Sequence, residues 1–189
     1  SVESFDRLMH AMQGRLTGGI SPTALQLAYV DWFSHLASAP GKQIELWRKF
    51  VRKFARFLIF SQRALTNRDC PRCIEPLAQD KRFSAPEWSQ WPYLGMYQSF
   101  LLTQQWWHNA TTDVPGVSRH HQDVVSFIAR QILDLFSPTN FLATNPEIMR
   151  VTREQGGANL WQGVVNGFEE WERAIGGRKN VGTDAFKLG

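Results

Sequence analysis

The chain has 189 residues, 43% hydrophobic and 20% charged, with a formal net charge of +4. That length holds one domain, or one domain with an appendage, and is enough to bury a real core. No apolar run approaches a bilayer span, no secretory leader is visible, and two cysteines make no disulfide framework, so the cytoplasm is the expected compartment.

Two features depart from the ordinary. Aromatic residues reach 13%, with eight tryptophans, and that much flat apolar surface must enter a core, an interface or a hydrophobic ligand. The positive charge is one patch: Lys42 to Arg63 carries seven Lys/Arg and one Glu, while the remainder holds 14 basic and 16 acidic residues.

In chain order, Val2, Phe5, Met9, Met12 and Leu16 recur at spacings of three and four, an amphipathic helix ended by Gly18-Gly19. Ser21-Pro22 opens a second helix with Leu25, Tyr29, Trp32 and Leu36 on one face, and Pro40-Gly41 is expected to stop it. Lys42 to about Leu65 is the sharpest amphipathic element. Ile44, Leu46, Trp47, Phe50, Val51, Phe54, Phe57 and Leu58 fill one arc of roughly 160° at about 100° per residue. Lys42, Arg48, Lys49, Arg52, Lys53, Arg56 and Arg63 fill the opposite arc. Such a helix either lies in a lipid or polymer surface with aromatics submerged and cations at the rim, or packs its apolar arc and leaves a basic face to solvent. No nucleic-acid-binding motif accompanies the patch, and nucleic acid is not an expected partner.

Thr66 to Gln90 reads as a connector, punctuated by Asn67, Asp69, Pro71, Pro76, Asp80, Ser84 and Pro86. Ser89 to His108 reads as a helix aromatic on more than one side, and therefore central to the fold or buried at an interface. After Val114-Pro115-Gly116, Ser118 caps a helix to Phe136 with His121, Val125, Ile128, Ile132 and Leu135 in a stripe. Ser137-Pro138 closes it. Asn145-Pro146-Glu147 starts another helix, with Asn145 as N-cap and Pro146 at the first helical position. Gly156-Gly157 interrupts it, and Leu160, Val164, Phe168, Trp171 and Ile175 mark a last helix ending at Gly176-Gly177. No strand or repeat is evident. The expected fold is all-α, a helical bundle-like body with an amphipathic helical N-terminal appendage. Its expected division is 1–66 as the N-terminal segment, 67–79 as connector, 80–177 as body and 178–189 as linker.

Chemistry is not visible. There is no Gly-x-Ser/Cys-x-Gly elbow, phosphate loop, HExxH helix or dinucleotide fingerprint. Cys70-Pro71-Arg72-Cys73 has the CxxC spacing, but neither a second ligand pair nor a βαβ unit accompanies it, so a plain loop pair is the expectation. His120 and His121 are adjacent, about 100° apart on a helix; one is expected to pack and the other to be solvated. No catalytic residue, metal site or cofactor is expected.

Several separated motifs nevertheless carry a resemblance. Asp80-Lys81-Arg82-Phe83 with Pro86-Glu87-Trp88, Ser137-Pro138-Thr139-Asn140-Phe141-Leu142, Asn145-Pro146-Glu147, and Gly156-Gly157-Ala158-Asn159-Leu160 with Gly163 and Asn166 resemble the N-terminal region of polyhydroxyalkanoate synthases. Gly19-Ile20-Ser21-Pro22, Asp31-Trp32 and Pro40-Gly41-Lys42-Gln43 resemble a short extra segment that precedes it in some of these poly-β-hydroxybutyrate polymerases. The resemblance implies an acyltransferase that polymerises (R)-3-hydroxyacyl-CoA with release of CoA. Its Cys-Asp-His machinery belongs to a C-terminal α/β-hydrolase domain that is absent here, so this region is expected to be inactive alone. The implied partners are that domain, a second copy in a homodimer, and the polyester granule surface or a granule-associated protein. The candidate contact residues are Trp47, Phe50 and Phe54, with Arg48, Lys49, Arg52, Lys53 and Arg56. A purely structural scaffold clamping the catalytic domain, and an unrelated helical adaptor, are the competing readings.

Overall fold

The computed structural model describes residues 21–66 and 70–175, with the last two, Ala174 and Ile175, described by backbone alone. The helix expected over residues 2–17 and the tail from residue 176 lie outside these. Among the described residues there are six α-helices and no strand: α1 (Pro22–Ala37), α2 (Pro40–Thr66), α3 (Tyr93–Thr111), α4 (Arg119–Leu135), α5 (Pro146–Glu154) and α6 (Ala158–Ile175). Short 3-10 turns occupy Pro86–Ser89 and Pro138–Asn140. The fold is all-α, as expected. Backbone contacts divide it into two compact units, Ser1–Asn140 and Phe141–Gly189.

In the first unit α3 is central, touching α2 and α4, while α1 packs on α4. One cluster joins Ala28 and Trp32 of α1 to Val114, Val117, Val124 and Val125. The Trp32 indole donates to the Ala110 carbonyl at 2.9 Å in a buried bond. Gly116 closes this contact: its φ is +90°, and a Cβ there would stand 2.3 Å from the His35 ring. His121 packs as expected of one of the pair, its Nδ1 2.6 Å from Asp31, while His120 is exposed. That bond is the main cause of a lowered Asp31 pKa. Tyr29, on the same face of α1 as Leu25 and Trp32, is exposed and stacks on Phe33.

The second cluster gathers Phe83, Trp88, Tyr97, Phe100 and Leu101. Phe83 stacks on Tyr97 and meets the edge of Trp88, each centroid pair at 5.0 Å. Gln98, with 0% exposure, holds the preceding loop in place. Its Oε1 accepts from the Cys73 and Ile74 amides at 2.9 Å, and its Nε2 donates to the Ile74 carbonyl at 2.8 Å. A buried amide so placed satisfies a loop that has no ladder of its own.

Element ends follow local chemistry, with two departures. Pro40-Gly41 does not stop α1; Pro40 opens α2, where its missing N–H costs nothing. The break falls at Ser38-Ala39, and the Gln43 side-chain Nε2 donates to the Leu36 and Ala37 carbonyls at 2.9 Å to close α1. α3 begins at Tyr93 rather than Ser89, because the 3-10 turn and Pro92 intervene. Ser118 caps α4 through the His121 amide. Val125 of its stripe is buried, as is its neighbour Val124, but Ile132 and Leu135 are exposed. The Asn140 side chain donates to the Asp134 and Leu135 carbonyls and terminates α4.

In the second unit, Asn145 Oδ1 accepts from the Glu147 and Ile148 amides at 3.0 and 3.2 Å, the expected N-cap. Gly156 and Gly157 take φ of +56° and +87°, and the Gly157 amide reaches back to the Thr152 carbonyl at 2.8 Å, a Schellman-type ending. α6 then starts at Ala158 as read from sequence.

Arg82 ties the loop before α3 to α4. Its guanidinium bonds Asp80 at 2.8 Å and Asp134 at 2.7 Å and lies 5.5 Å from the Phe83 and Phe100 ring centres. Asp134 also accepts from Gln104 and Arg130. Hydrogen bonding from Arg82 holds the Asp80 carboxyl below its ordinary value, and the same bond raises the Arg82 pKa. A carboxyl with a depressed folded pKa adds stability that is present above its unfolded value, about 3.9, and is lost as pH falls through the folded pKa. Asp80→Asn is therefore expected to lower stability by about 2 kcal/mol at neutral pH and by much less under strong acid, read by urea denaturation at both. An equal loss at both pH values contradicts this pairing.

Candidate surface-binding site

α2 decides what the first unit shows to its surroundings. Its 27 residues span about 40 Å at 1.5 Å per residue. It does not seat the centre of its apolar arc. The residues turned into the protein are Lys42, Leu46 and Phe60, buried, with Lys49, Lys53 and Phe57 half-buried. At about 100° per residue these lie within one arc of roughly 80° that straddles the border between the apolar and basic faces. The expectation that Lys42 belongs to the solvated face is thus corrected: it is 8% exposed, with its stem packed and its ammonium 3.8 Å from Glu45.

The seam explains this seating. The Trp106 indole donates to the Leu46 carbonyl at 3.1 Å. The Lys49 ammonium donates to Asn109 and pairs with Glu45 at 2.6 Å, and Lys53 donates to Gln105. Two lysines from the expected basic face are thereby committed to α3. Burial, then the charges of Arg56, Lys49 and Arg52, lowers the Lys53 pKa.

Outside the seam, α2 leaves its largest apolar side chains in the open. Trp47 is 64% exposed, Phe54 54%, and Ile44, Phe50, Val51 and Leu58 are exposed as well. Trp47, Phe50 and Phe54 form a ladder, with ring centres 5.6 and 6.1 Å apart and interplanar angles of 25° and 9°. Beside the ladder runs a groove of about 650 Å³ between α2 and α3, lined by Leu46, Phe50, Phe57, Leu102, Trp106 and Trp107 with Leu36 from α1. The polar residues along it spend their donors within the protein. Gln43 bonds the end of α1, Ser99 the Met96 carbonyl at 2.8 Å, and Thr103 the Ser99 carbonyl at 2.9 Å. The groove wall is therefore mostly C–H and ring surface, with the Lys53 ammonium at its side bonded to Gln105.

The eight candidate residues thus separate into three groups. Trp47, Phe50 and Phe54 form one exposed apolar row. Arg48, Arg52 and Arg56, spaced by four, form an exposed cationic row with no ion-pair partner among the described residues. Lys49 and Lys53 sit in the seam. Trp106 and Trp107, which complete the groove, were not singled out from sequence as site residues; their place beside α2 depends on a contact across 60 residues.

Elsewhere the chemistry is plain. Cys70 and Cys73 are free thiols; burial raises the Cys73 pKa, and its Sγ lies 3.0 Å from Gln98 Oε1. A raised pKa lowers thiolate content and hence reactivity. Among the described residues no group of three or more His, Cys, Asp or Glu is placed to hold a metal ion, and no helix is long and apolar enough to cross a membrane.

Comparison with known proteins identifies the family. Residues 79–189 match the family described as poly-beta-hydroxybutyrate polymerase (PhaC) N-terminus, and residues 1–42 match the one described as poly-beta-hydroxybutyrate polymerase N terminal. A poly(3-hydroxyalkanoate) polymerase of Methylorubrum extorquens is 34% identical over 161 residues, 84% of this chain and 26% of that protein. The poly(3-hydroxyalkanoate) polymerase subunit of Rhizobium meliloti is 36% identical over 86 residues, 45% of this chain and 14% of the relative. That of Cupriavidus necator is 33% identical over 111 residues, 58% and 18%. The chain therefore spans about a quarter or less of the length of these relatives. No solved structure matches it. With one family covering residues 79–189 and its companion covering residues 1–42, the chain belongs to the poly-β-hydroxybutyrate polymerase N-terminal family.

Proposed function

We propose that this chain is the non-catalytic N-terminal region of an acyltransferase that polymerises (R)-3-hydroxyacyl-CoA into polyester with release of CoA, and that α2 attaches the enzyme to the polyester granule. The relatives are poly(3-hydroxyalkanoate) polymerases by name. The observation that carries the attachment role is the exposed ladder of Trp47, Phe50 and Phe54 beside an apolar groove. Leaving such a face in water is costly, and covering each ring contributes about 1.5–3 kcal/mol. The Cys-Asp-His chemistry belongs to a separate catalytic domain. This region holds the enzyme at its product, in the cytoplasm.

A second role rests on α6. Leu160, Trp161, Val164, Phe168 and Trp171 are all exposed, and among residues 141–173 only Asn145 and Pro146 are buried. A helix hairpin without an apolar core of its own requires a covering surface. The catalytic domain or a second copy of the chain supplies it, which makes this unit the clamp or dimer element.

Trp47→Ser/Phe50→Ser/Phe54→Ser is expected to weaken binding of the chain to isolated polyester granules by on the order of hundredfold or more, read by co-sedimentation. Unchanged binding by a variant with the parent's circular dichroism sinks the attachment role. For α6, Val164→Ser/Phe168→Ser is expected to lower the mass of the self-associated or domain-bound species in light scattering. An unchanged mass with both partners contradicts the clamp or dimer role.

A further inference from the structure

We propose that the hollow where α2 meets α3 around Lys53 is a binding site for a soluble diphosphate group, either the free anion or the diphosphate of an ester.

Two facing stripes build the site. Lys49, Arg52, Lys53 and Arg56 stand at i, i+3, i+4 and i+7 on α2, within an arc of roughly 100° at about 100° per residue. Gln105 and Asn109, four apart on α3, meet them through the Lys53 and Lys49 bonds. These six side chains enclose a hollow of about 300 Å³. No carboxylate lines it to repel an anion, and no aromatic ring lines it to stack a base. A concavity walled by one sign of charge concentrates the opposite sign.

The charges in the hollow are uncompensated. Lys49 with Lys53, and Arg52 with Arg56, are like-charge pairs four apart, an arrangement that destabilises a helix. α2 and α3 together carry a single carboxylate, Glu45, and it is engaged by Lys49 at 2.6 Å and Lys42 at 3.8 Å. Arg52, Lys53 and Arg56 have no ion-pair partner among the described residues. Lys53 is half-buried, and the acceptor it finds is the neutral Gln105 Oε1. Its burial, then the charges of Arg56, Lys49 and Arg52, hold its pKa below the ordinary lysine value. Three cations gathered without a counter-charge, one of them partly desolvated, are in the state that a bound anion relieves.

Geometry selects among anions. From Lys49 to Arg56 the cations spread over about 10 Å of helix at 1.5 Å per residue, farther than one carboxylate or one phosphate reaches. A diphosphate offers a longer anion with several negative charges. Arg52 and Arg56 bring planar forks that each pair with phosphate oxygens through parallel bonds, and Lys53 brings a point charge from the seam. The ring row of Trp47, Phe50 and Phe54 lines no part of the hollow, so the site stands independently of the attachment role.

The 189-residue chain is titrated with sodium diphosphate by isothermal calorimetry at about 0.1 M ionic strength, with sodium sulfate at matched ionic strength as the reference anion. Diphosphate is expected to bind saturably, on the order of tenfold more tightly than sulfate. Arg52→Gln/Arg56→Gln, both exposed positions, is expected to keep the parent's helix content and to weaken diphosphate binding on the order of tenfold. Arg63→Gln/Lys81→Gln removes the same charge from exposed positions outside the hollow, and is expected to leave the affinity within about twofold. Equal affinity of the parent for the two anions, absence of saturable binding, or equal losses in the two double variants overturns the proposal. CoA and ADP, which carry the group as an ester, are titrated alongside. Binding of either at or above the affinity of free diphosphate assigns an ester as the source, and weaker binding of both assigns the free anion; each result upholds the site.

Discussion

The seating of α2 depends on a polar seam rather than on its apolar face. The Trp106 indole caps onto the Leu46 carbonyl, and Lys49 and Lys53 reach the side-chain amides of Asn109 and Gln105. These bonds turn the border of the amphipathic helix, not its apolar centre, toward α3. What α2 presents outward follows from that rotation. Had the apolar arc been seated, Phe50 and Phe54 would fill a core and the outer face would carry arginine and lysine alone. Rotated as it is, the helix displays an aromatic row and a cationic row side by side.

Around that seam the first unit is held by contacts that fix loops more than helices. Gln98 binds the Cys73–Ile74 backbone, Arg82 bridges Asp80 to Asp134, and Phe83 and Trp88 plug the base of α3. The sequence motifs that resemble the polymerase family find structural roles here. Asp80 and Arg82 form the ion pair, Asn140 closes α4, Asn145 caps α5, and Gly156-Gly157 takes the left-handed turn before α6. Each of these residues meets a local requirement of the backbone or of the Arg82 ion pair.

Local features were legible in the sequence because their causes are local. Ser118, the Asn145-Pro146 start and the Gly156-Gly157 turn involve residues within five positions of each other, and the all-α class follows from apolar spacing. What was not legible depends on partners far along the chain. The helical wheel of α2 shows where its apolar arc is, but not that Trp106, 60 residues on, would hold its edge. Gln98 carries no pattern that announces a buried latch. Pro40 is ambiguous in the sequence because proline opens a helix as readily as it follows one, and the Gln43 side chain that closes α1 belongs to the next element. Tyr29 satisfies the helical period of α1 and still faces solvent, since period defines a face and the width of the neighbouring helix decides how much of it is covered.

The central claim is that the aromatic row of α2 is open in the free protein and covered by a surface in the working one. Hydroxyl-radical footprinting of the chain, with and without granules, reads that difference residue by residue. The account predicts that Leu46 and Phe60 are protected in both states, while Trp47, Phe50, Phe54 and Leu58 are oxidised in the free chain and protected on granules. Protection of the aromatic row in the free chain, or its continued oxidation on granules that have bound the protein, would contradict it.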